Sequence, residues 1–217
     1  MPKRALVEKR PWLLASLAAA VSYYFVQDSP AVPGIWLMLW KGAGVGLLGV
    51  YALMHHKGAD SRTIAAVMVI SALADMVLEL FFAAGAALFL AAHVVAVVLY
   101  LRHRRGVLMP SQKGAGLALL LLTPLAAWGL TRDPGATAYA LGLGAMAGSA
   151  WTSSFPRYRV GLGAVLFVAS DLLIFARMGP LAASALPGLL IWPLYYCGQL
   201  LIATGVVGEL RNRQSVA

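Results

Sequence analysis

Long apolar segments separated by short polar turns dominate this chain, and two of them carry an aspartate near the middle. Asp75 lies within the segment 71–79, and Asp171 follows Ser170 in a second segment about 96 residues later. A charged side chain at the centre of a membrane costs several kcal/mol unless it is paired, solvated or protonated. Two such carboxylates in matching settings therefore indicate a function and not an accident of packing.

The composition predicts an integral membrane protein. Hydrophobic residues make up 61% of the chain and charged residues 12%, and the mean hydropathy is +0.80. Soluble domains carry about twice that share of charge. The apolar runs are continuous and do not alternate, which favours helices over the strands of a β-barrel. We expect one all-α transmembrane domain over residues 1–217, with no room for a soluble domain beside its spans.

The apolar runs predict a polytopic bundle of eight helices. Their bounds are about 11–26, 35–54, 63–80, 85–101, 114–130, 136–152, 160–178 and 186–207. An even number of spans brings both termini to one side. The aspartates then fall in the third helix of each half, which indicates a 4+4 pseudo-repeat. The sixth run contains Gly142, Gly144 and Gly148, and such small residues permit close helix contact.

The distribution of basic residues predicts that both termini are cytoplasmic. Of the 17 Lys and Arg, fourteen fall on the side of the termini: Lys3, Arg4, Lys9, Arg10, Lys57, Arg62, Arg102, Arg104, Arg105, Lys113, Arg157, Arg159, Arg211 and Arg213. Only Arg132 and Arg177 fall on the other side, and Lys41 lies within a span. Loops rich in Lys and Arg stay in the cytoplasm. This explains the net charge of +9 without a nucleic-acid partner, and a bacterial inner membrane fits the asymmetry best. Binding of anionic membrane lipids is a second use for such a face.

Depth along the helices predicts one layer of polar side chains. At 1.5 Å per residue, Asp75 and Asp171 lie roughly 17 Å into their spans, near the middle of a hydrocarbon core about 30 Å thick. The same arithmetic brings further polar residues from other spans to a similar level: Lys41, Ser71, His93, Ser170, Tyr195, Tyr196 and Gln199. Glu79 shares a helix face with Asp75 near the outer end and is a further candidate.

Some of these residues have a purely structural interpretation. Lys41 is the expected counter-ion of one aspartate, and such a pair also serves as a structural link between helices. His93 alone would suit hydrogen-bonded packing, and Glu79 would suit solvent. We expect no metal, because the histidines lack ligand spacing, and no cofactor. Cys197 in an apolar run suits a small hydrophobic residue of a helix. No serine-hydrolase or phosphate-loop motif is present.

The motifs together resemble the YhhN family of eight-span membrane proteins, which includes the lysoplasmalogenases. They are Lys41 early in helix 2, Ser71-Ala-Leu-Ala-Asp75, Phe82-x₂-Gly85-x₃-Phe89-x₃-His93, Leu166-Phe-Val-Ala-Ser170-Asp171 and Tyr195-Tyr196-x₂-Gln199-Leu-Leu. The resemblance spans about residues 35–205. It departs at Ala74, where the family usually has glycine before its first aspartate. It departs again after His93. The family commonly has a tyrosine about one turn after this histidine, whereas here the next tyrosine is Tyr100, two turns on.

The resemblance implies hydrolysis of the vinyl ether of a lysoplasmalogen, a step of lipid metabolism that takes its lysophospholipid substrate from the bilayer. Such chemistry needs one protonated acid and one carboxylate, by analogy with glycosidases. Asp75 and Asp171 would divide these catalytic roles, with Lys41 near the ionised one, and the remaining polar residues would position substrate or water.

Two other functions fit the same residues. Carboxylates at mid-membrane depth also bind ions in transporters, and a parallel repeat is a common transporter architecture. A small-solute or proton-coupled transporter is therefore the main alternative. A lipid-binding or scaffold protein without turnover is the third.

Overall fold

The computed structural model describes residues 10–55 and 58–215 and contains eight α-helices. They are α1 (Pro11–Val26), α2 (Gly34–His55), α3 (Ala59–Leu78), α4 (Phe82–Arg102), α5 (Pro110–Thr131), α6 (Pro134–Thr152), α7 (Leu162–Arg177) and α8 (Leu186–Gln214). A π-helical segment, Arg157–Gly161, leads directly into α7. The predicted all-helical fold is confirmed, and the described residues contain no named β-strand. Lys3, Arg4, Lys9 and Lys57 lie outside the described residues.

Helix boundaries follow the turn residues of the sequence. Proline occupies the first or second position of α1, α5, α6 and α8, where its missing N–H costs no helical hydrogen bond. Asp133 caps α6 by accepting a hydrogen bond from the Ala136 N–H at 2.6 Å. The largest difference from the prediction is at α8, which continues to Gln214 and not to residue 207. The Arg213–Glu209 ion pair, at 2.9 Å and four residues apart, supports this extension.

Six helices form a closed ring, in which α2, α3, α4, α6, α7 and α8 each pack against their neighbours. Helix α1 packs outside on α2, and α5 packs outside on α6. The contacts α1·α2 and α2·α8 thus have counterparts in α5·α6 and α6·α4, as expected from a 4+4 repeat. Glycines allow the tightest contacts: a Cβ at Gly148 would lie 2.7 Å from the Gly116 oxygen of α5.

Six helices are long and apolar enough to cross a membrane, namely α2, α3, α4, α5, α8 and the continuous segment Arg157–Arg177. This supports a multi-pass integral membrane protein. Helix α1 is apolar but only 16 residues long, and the glycine-rich α6 does not meet the same criterion. Large apolar side chains on the outside of the ring are exposed, such as Trp36 at 61% and Leu122 at 59%. They form the surface expected to face lipid.

Both ends of the described chain meet at one face of the bundle, which we call the basic face. Arg10, at the start of α1, and Arg211, near the end of α8, line the same cavity. A hydrogen-bonded network closes the same face. In it, Arg213 donates to His103 Nδ1 at 3.0 Å, and His103 Nε2 contacts Asp60 Oδ2 at 2.7 Å. The two ends of the described chain, residues 10 and 215, therefore lie on the same side, and the cytoplasmic orientation of the termini stays a prediction.

Candidate functional site

Asp171 ends a chain of three hydrogen-bonded side chains from three helices. Tyr139 of α6 donates its hydroxyl proton to Asp171 Oδ2 at 2.6 Å. His93 Nε2 of α4 lies 3.2 Å from the same hydroxyl oxygen. With the tyrosine proton directed at the carboxylate, the tautomer of His93 that carries its proton on Nε2 completes the chain by donating to the tyrosine oxygen. We call this chain, His93–Tyr139–Asp171, the first relay.

Asp75 ends a second chain with the same chemical order. Tyr195 of α8 donates to Asp75 Oδ2 at 2.6 Å, and Gln199 Nε2 donates to the Tyr195 hydroxyl at 3.4 Å. We call this chain, Gln199–Tyr195–Asp75, the second relay. In both relays a neutral N–H polarises a phenol that donates to a carboxylate, which is the arrangement that makes buried polar chains cooperative. Both aspartates are buried, at 3% and 6% exposure.

Aromatic rings join the two relays. The Phe167 ring contacts Tyr195 of the second relay at 5.0 Å between centroids and His93 of the first at 5.1 Å. Phe89 lies edge-on to Tyr195 at 5.7 Å. The two carboxylates make no direct hydrogen bond, but each lies within electrostatic range of the other. The centre of the ring is therefore an apolar, aromatic space with one carboxylate held on each side.

The first relay reaches a large apolar cavity. An apolar cavity of about 510 Å³ lies between α4, α6 and α7. Its lining extends from Phe82, Asp133 and Met178, at the helix ends opposite the basic face, to Asp171 and Tyr139 at depth. The remaining lining is almost entirely alanine, leucine, isoleucine and phenylalanine. This shape suits an alkyl chain whose inner end lies next to the Asp171 carboxylate.

Lys41 does not pair with an aspartate as the sequence suggested. Its Nζ donates to Glu79 Oε1 at 2.5 Å. Glu79 directly follows α3 and is 46% exposed, so its carboxylate reaches the lysine from the outer end of the bundle. Asp75 lies one turn deeper and accepts its hydrogen bond from Tyr195 instead. Lys41 stays within electrostatic range of Asp75, as a second neighbour and not its direct counter-ion.

Three further residues were predicted to belong to the site, and the structure gives each of them different surroundings. Ser71 is buried one turn before Asp75, and its hydroxyl has no hydrogen-bond partner among the described residues. Ser170 donates to the Ile191 oxygen of α8 at 2.9 Å and links the two helices. Tyr196, predicted to position substrate or water, contacts Ser16 of α1 through its hydroxyl at 2.8 Å and joins neither relay. Successive residues of a helix point about 100° apart, so Tyr195 and Tyr196 meet different neighbours.

A profile of the YhhN family matches residues 36–206, which include every residue of both relays. The chain belongs to the YhhN family. No curated protein and no solved structure matches it.

One residue of the first relay in this YhhN protein, Tyr139, was not predicted from the sequence. It lies five residues into α6, roughly 8 Å from its outer end. Its depth is similar to that of Lys41, so its position along the helix is the signal that could have identified it. Among residues 10–55 and 58–215, no group of three or more His, Cys, Asp and Glu side chains is placed to hold a metal ion.

Proposed function

We propose that this YhhN protein hydrolyses the vinyl ether bond of lysoplasmalogens within the membrane and releases a fatty aldehyde and a glycerophospho-headgroup. The observation that carries the proposal is a buried carboxylate, Asp171, at the inner end of an apolar cavity. A second buried carboxylate, Asp75, belongs to the relay that contacts the same Phe167 ring. A single-chain lipid would place its alkenyl chain in the cavity. Membership of the family supports the same reaction class.

The reaction needs an acid at the alkenyl chain. In this proposal, protonated Asp171 transfers its proton to the vinyl carbon remote from the ether oxygen. The carbon–carbon double bond supplies the electron pair, and an oxocarbenium ion forms at the other carbon. Tyr139 donates to the carboxylate that remains and stabilises its charge. An apolar surrounding strengthens the attraction between this carboxylate and the cation.

Water completes the reaction. Asp75 accepts a proton from a water molecule as its oxygen adds to the oxocarbenium carbon, which gives a hemiacetal. The free hydroxyl of Ser71, one turn away, is a suitable partner for that water. The ionised Asp171 then accepts the hydroxyl proton of the hemiacetal, and the protonated Asp75 donates to the ether oxygen. The bond between the hemiacetal carbon and the ether oxygen breaks. The products are an aldehyde and an alcohol, and the protons balance.

The test is aldehyde release by the purified full-length protein in mixed micelles with lysoplasmalogens that carry ethanolamine or choline. We expect release by the wild type and large losses in Asp171→Asn and Asp75→Asn. Asparagine keeps an oxygen acceptor for each tyrosine, so folding should be preserved. Well-folded wild-type protein that releases no aldehyde from either headgroup would contradict the proposal. Activity that is unchanged in either asparagine variant would contradict the assigned mechanism.

Transport is the alternative to this function, and the same protein distinguishes the two. Helices interrupted at matching places in both halves are a frequent transporter feature. Here the internal prolines, Pro124 of α5 and Pro193 of α8, lie in helices that the repeat does not relate. Substrate-dependent proton flux in proteoliposomes without aldehyde release would favour a carrier.

A further inference from the structure

A polar cavity of about 570 Å³ opens on the basic face, far along the helices from the apolar cavity. It lies between the start of α1, the π-helical segment and the last turns of α8. Three arginines from these three elements line it: Arg10, Arg159 and Arg211. The three side chains therefore reach one cavity from parts of the chain that lie far apart in sequence.

The three arginines have no carboxylate partner among the described residues. Glu209 is the one acidic residue in the described lining, and its Oε1 accepts from Arg213 Nε at 2.9 Å. Like charges brought together without a counter-ion repel, and an anion in the cavity would remove that cost. Arginine suits phosphate in particular, because its planar guanidinium donates two parallel hydrogen bonds.

The surrounding backbone leaves room for such a group. Gly208 forms part of the α8 wall, and a Cβ there would meet only Arg159 Nη1, at 3.9 Å. Gly205, one turn earlier, instead packs tightly against Val160, where a Cβ would lie 2.7 Å from the valine side chain. Pro156, which also lines the cavity, directly precedes the continuous helical segment Arg157–Arg177. The positive end of that helix dipole adds to the attraction for an anion.

We propose that this cavity binds the phosphate group of an anionic phospholipid from the leaflet at the basic face. A lipid is favoured over a soluble phosphate compound because exposed apolar side chains flank the arginines. Trp12 follows Arg10 by two residues, Tyr158 precedes Arg159, and Leu162 follows it by three. These side chains are 38%, 80% and 41% exposed and lie within three residues of Arg10 or Arg159 in the chain, so they offer apolar contacts to acyl chains. Aromatic residues at this depth are typical of the membrane–water interface.

The experiment measures phosphatidylglycerol retained by the purified full-length protein, using native mass spectrometry from mixed micelles of phosphatidylcholine and phosphatidylglycerol. Thermal unfolding with each lipid is the second readout. We expect wild type to retain phosphatidylglycerol and to unfold at a higher temperature with it. Arg159→Gln/Arg211→Gln should weaken retention by about tenfold for each arginine lost. The charge-conserving Arg159→Lys/Arg211→Lys should weaken it less.

The matched control is Arg104→Gln/Arg105→Gln, which removes the same charge from another part of the basic face. This control should keep phosphatidylglycerol, and equal losses in both double variants would show general attraction and overturn the site. Gly208→Val adds bulk beside the Arg159 guanidinium with the arginines intact, so it should weaken phosphatidylglycerol retention without a fall in thermal stability in phosphatidylcholine. Retention as strong as that of wild type in this variant would also overturn the proposal. Inorganic phosphate that binds as tightly as phosphatidylglycerol would overturn the assignment to a lipid.

Discussion

The two relays have the same order of hydrogen-bonded groups but different surroundings. In each, a nitrogen donor, a tyrosine and an aspartate form a chain, and each tyrosine donates to its aspartate at 2.6 Å. Asp171 lines the large apolar cavity, whereas Asp75 does not. Asp75 instead has a free serine hydroxyl one turn away and lies within range of Lys41.

This difference supports separate roles for the two carboxylates in the proposed reaction. Asp171, next to an apolar cavity and without an ion partner, suits the proposed acid. Asp75, near Lys41 and Ser71, has neighbours that favour its charge, which suits the proposed base. In this proposal the chemical environment, and not the residue type, separates the acid from the base.

The largest expected effect is that of Asp171→Asn, which removes the acid but keeps an acceptor for Tyr139. We expect kcat for aldehyde release to fall by about 10³-fold, within the range for a lost general acid. Asp75→Asn should cost about 10²-fold, because water still reaches the oxocarbenium ion without a base. Steady-state kinetics of wild type and both variants measures the two losses in kcat. A larger loss in Asp75→Asn than in Asp171→Asn would reverse the two assignments.

The tyrosines are expected to matter next. Tyr139→Phe removes a hydrogen bond to a charged group, which contributes about 1.5–3 kcal/mol and corresponds to roughly a 10–100-fold loss in kcat/KM. Tyr195→Phe should cost less, because its carboxylate keeps Lys41 within range. Tyr196→Phe is the matched control, since its hydroxyl contacts Ser16 and neither relay. If Tyr196→Phe lost as much activity as Tyr139→Phe, the relays would not be the active site.

The cavity should control KM and leave kcat nearly unchanged. Ala86 of α4 lines it, and Ala86→Leu adds volume that costs about 1–3 kcal/mol to accommodate beside an alkyl chain. We expect KM for a long-chain lysoplasmalogen to rise about tenfold, with a smaller change for a short-chain one. Ala91→Leu, on an exposed part of the same helix, is the control. Equal KM values for both chain lengths in Ala86→Leu would argue against the cavity as the chain site.

The smallest effect is expected at the ion pair of Lys41 with Glu79. Because Glu79 is half-exposed, the pair should contribute less than about 1 kcal/mol to stability. Glu79→Gln should therefore change thermal unfolding and aldehyde release only slightly, and Lys41→Met somewhat more through Asp75. A loss in Lys41→Met as large as that in Asp75→Asn would restore the lysine as the essential counter-ion of the aspartate.

Most residues of the two relays could be predicted from their depth along the helices. Asp75, Asp171, His93, Tyr195 and Gln199 were all predicted and all belong to the two relays. The partners were not predictable, because depth along a helix gives one coordinate and rotation about its axis decides contact. Rotation explains why Tyr195 reaches Asp75 while its neighbour Tyr196 reaches α1.

The sequence by itself determined the membrane class, the eight helices, the basic face and the level of the polar residues. These properties depend on local composition and on the constant rise of a helix. Only the tertiary structure decided that Lys41 pairs with Glu79, that Tyr139 completes a relay, and that Asp171 alone meets the apolar cavity. Those outcomes depend on which helices become neighbours in the ring. Residues that lie far apart in the chain determine those neighbours jointly, so no local stretch of sequence shows them.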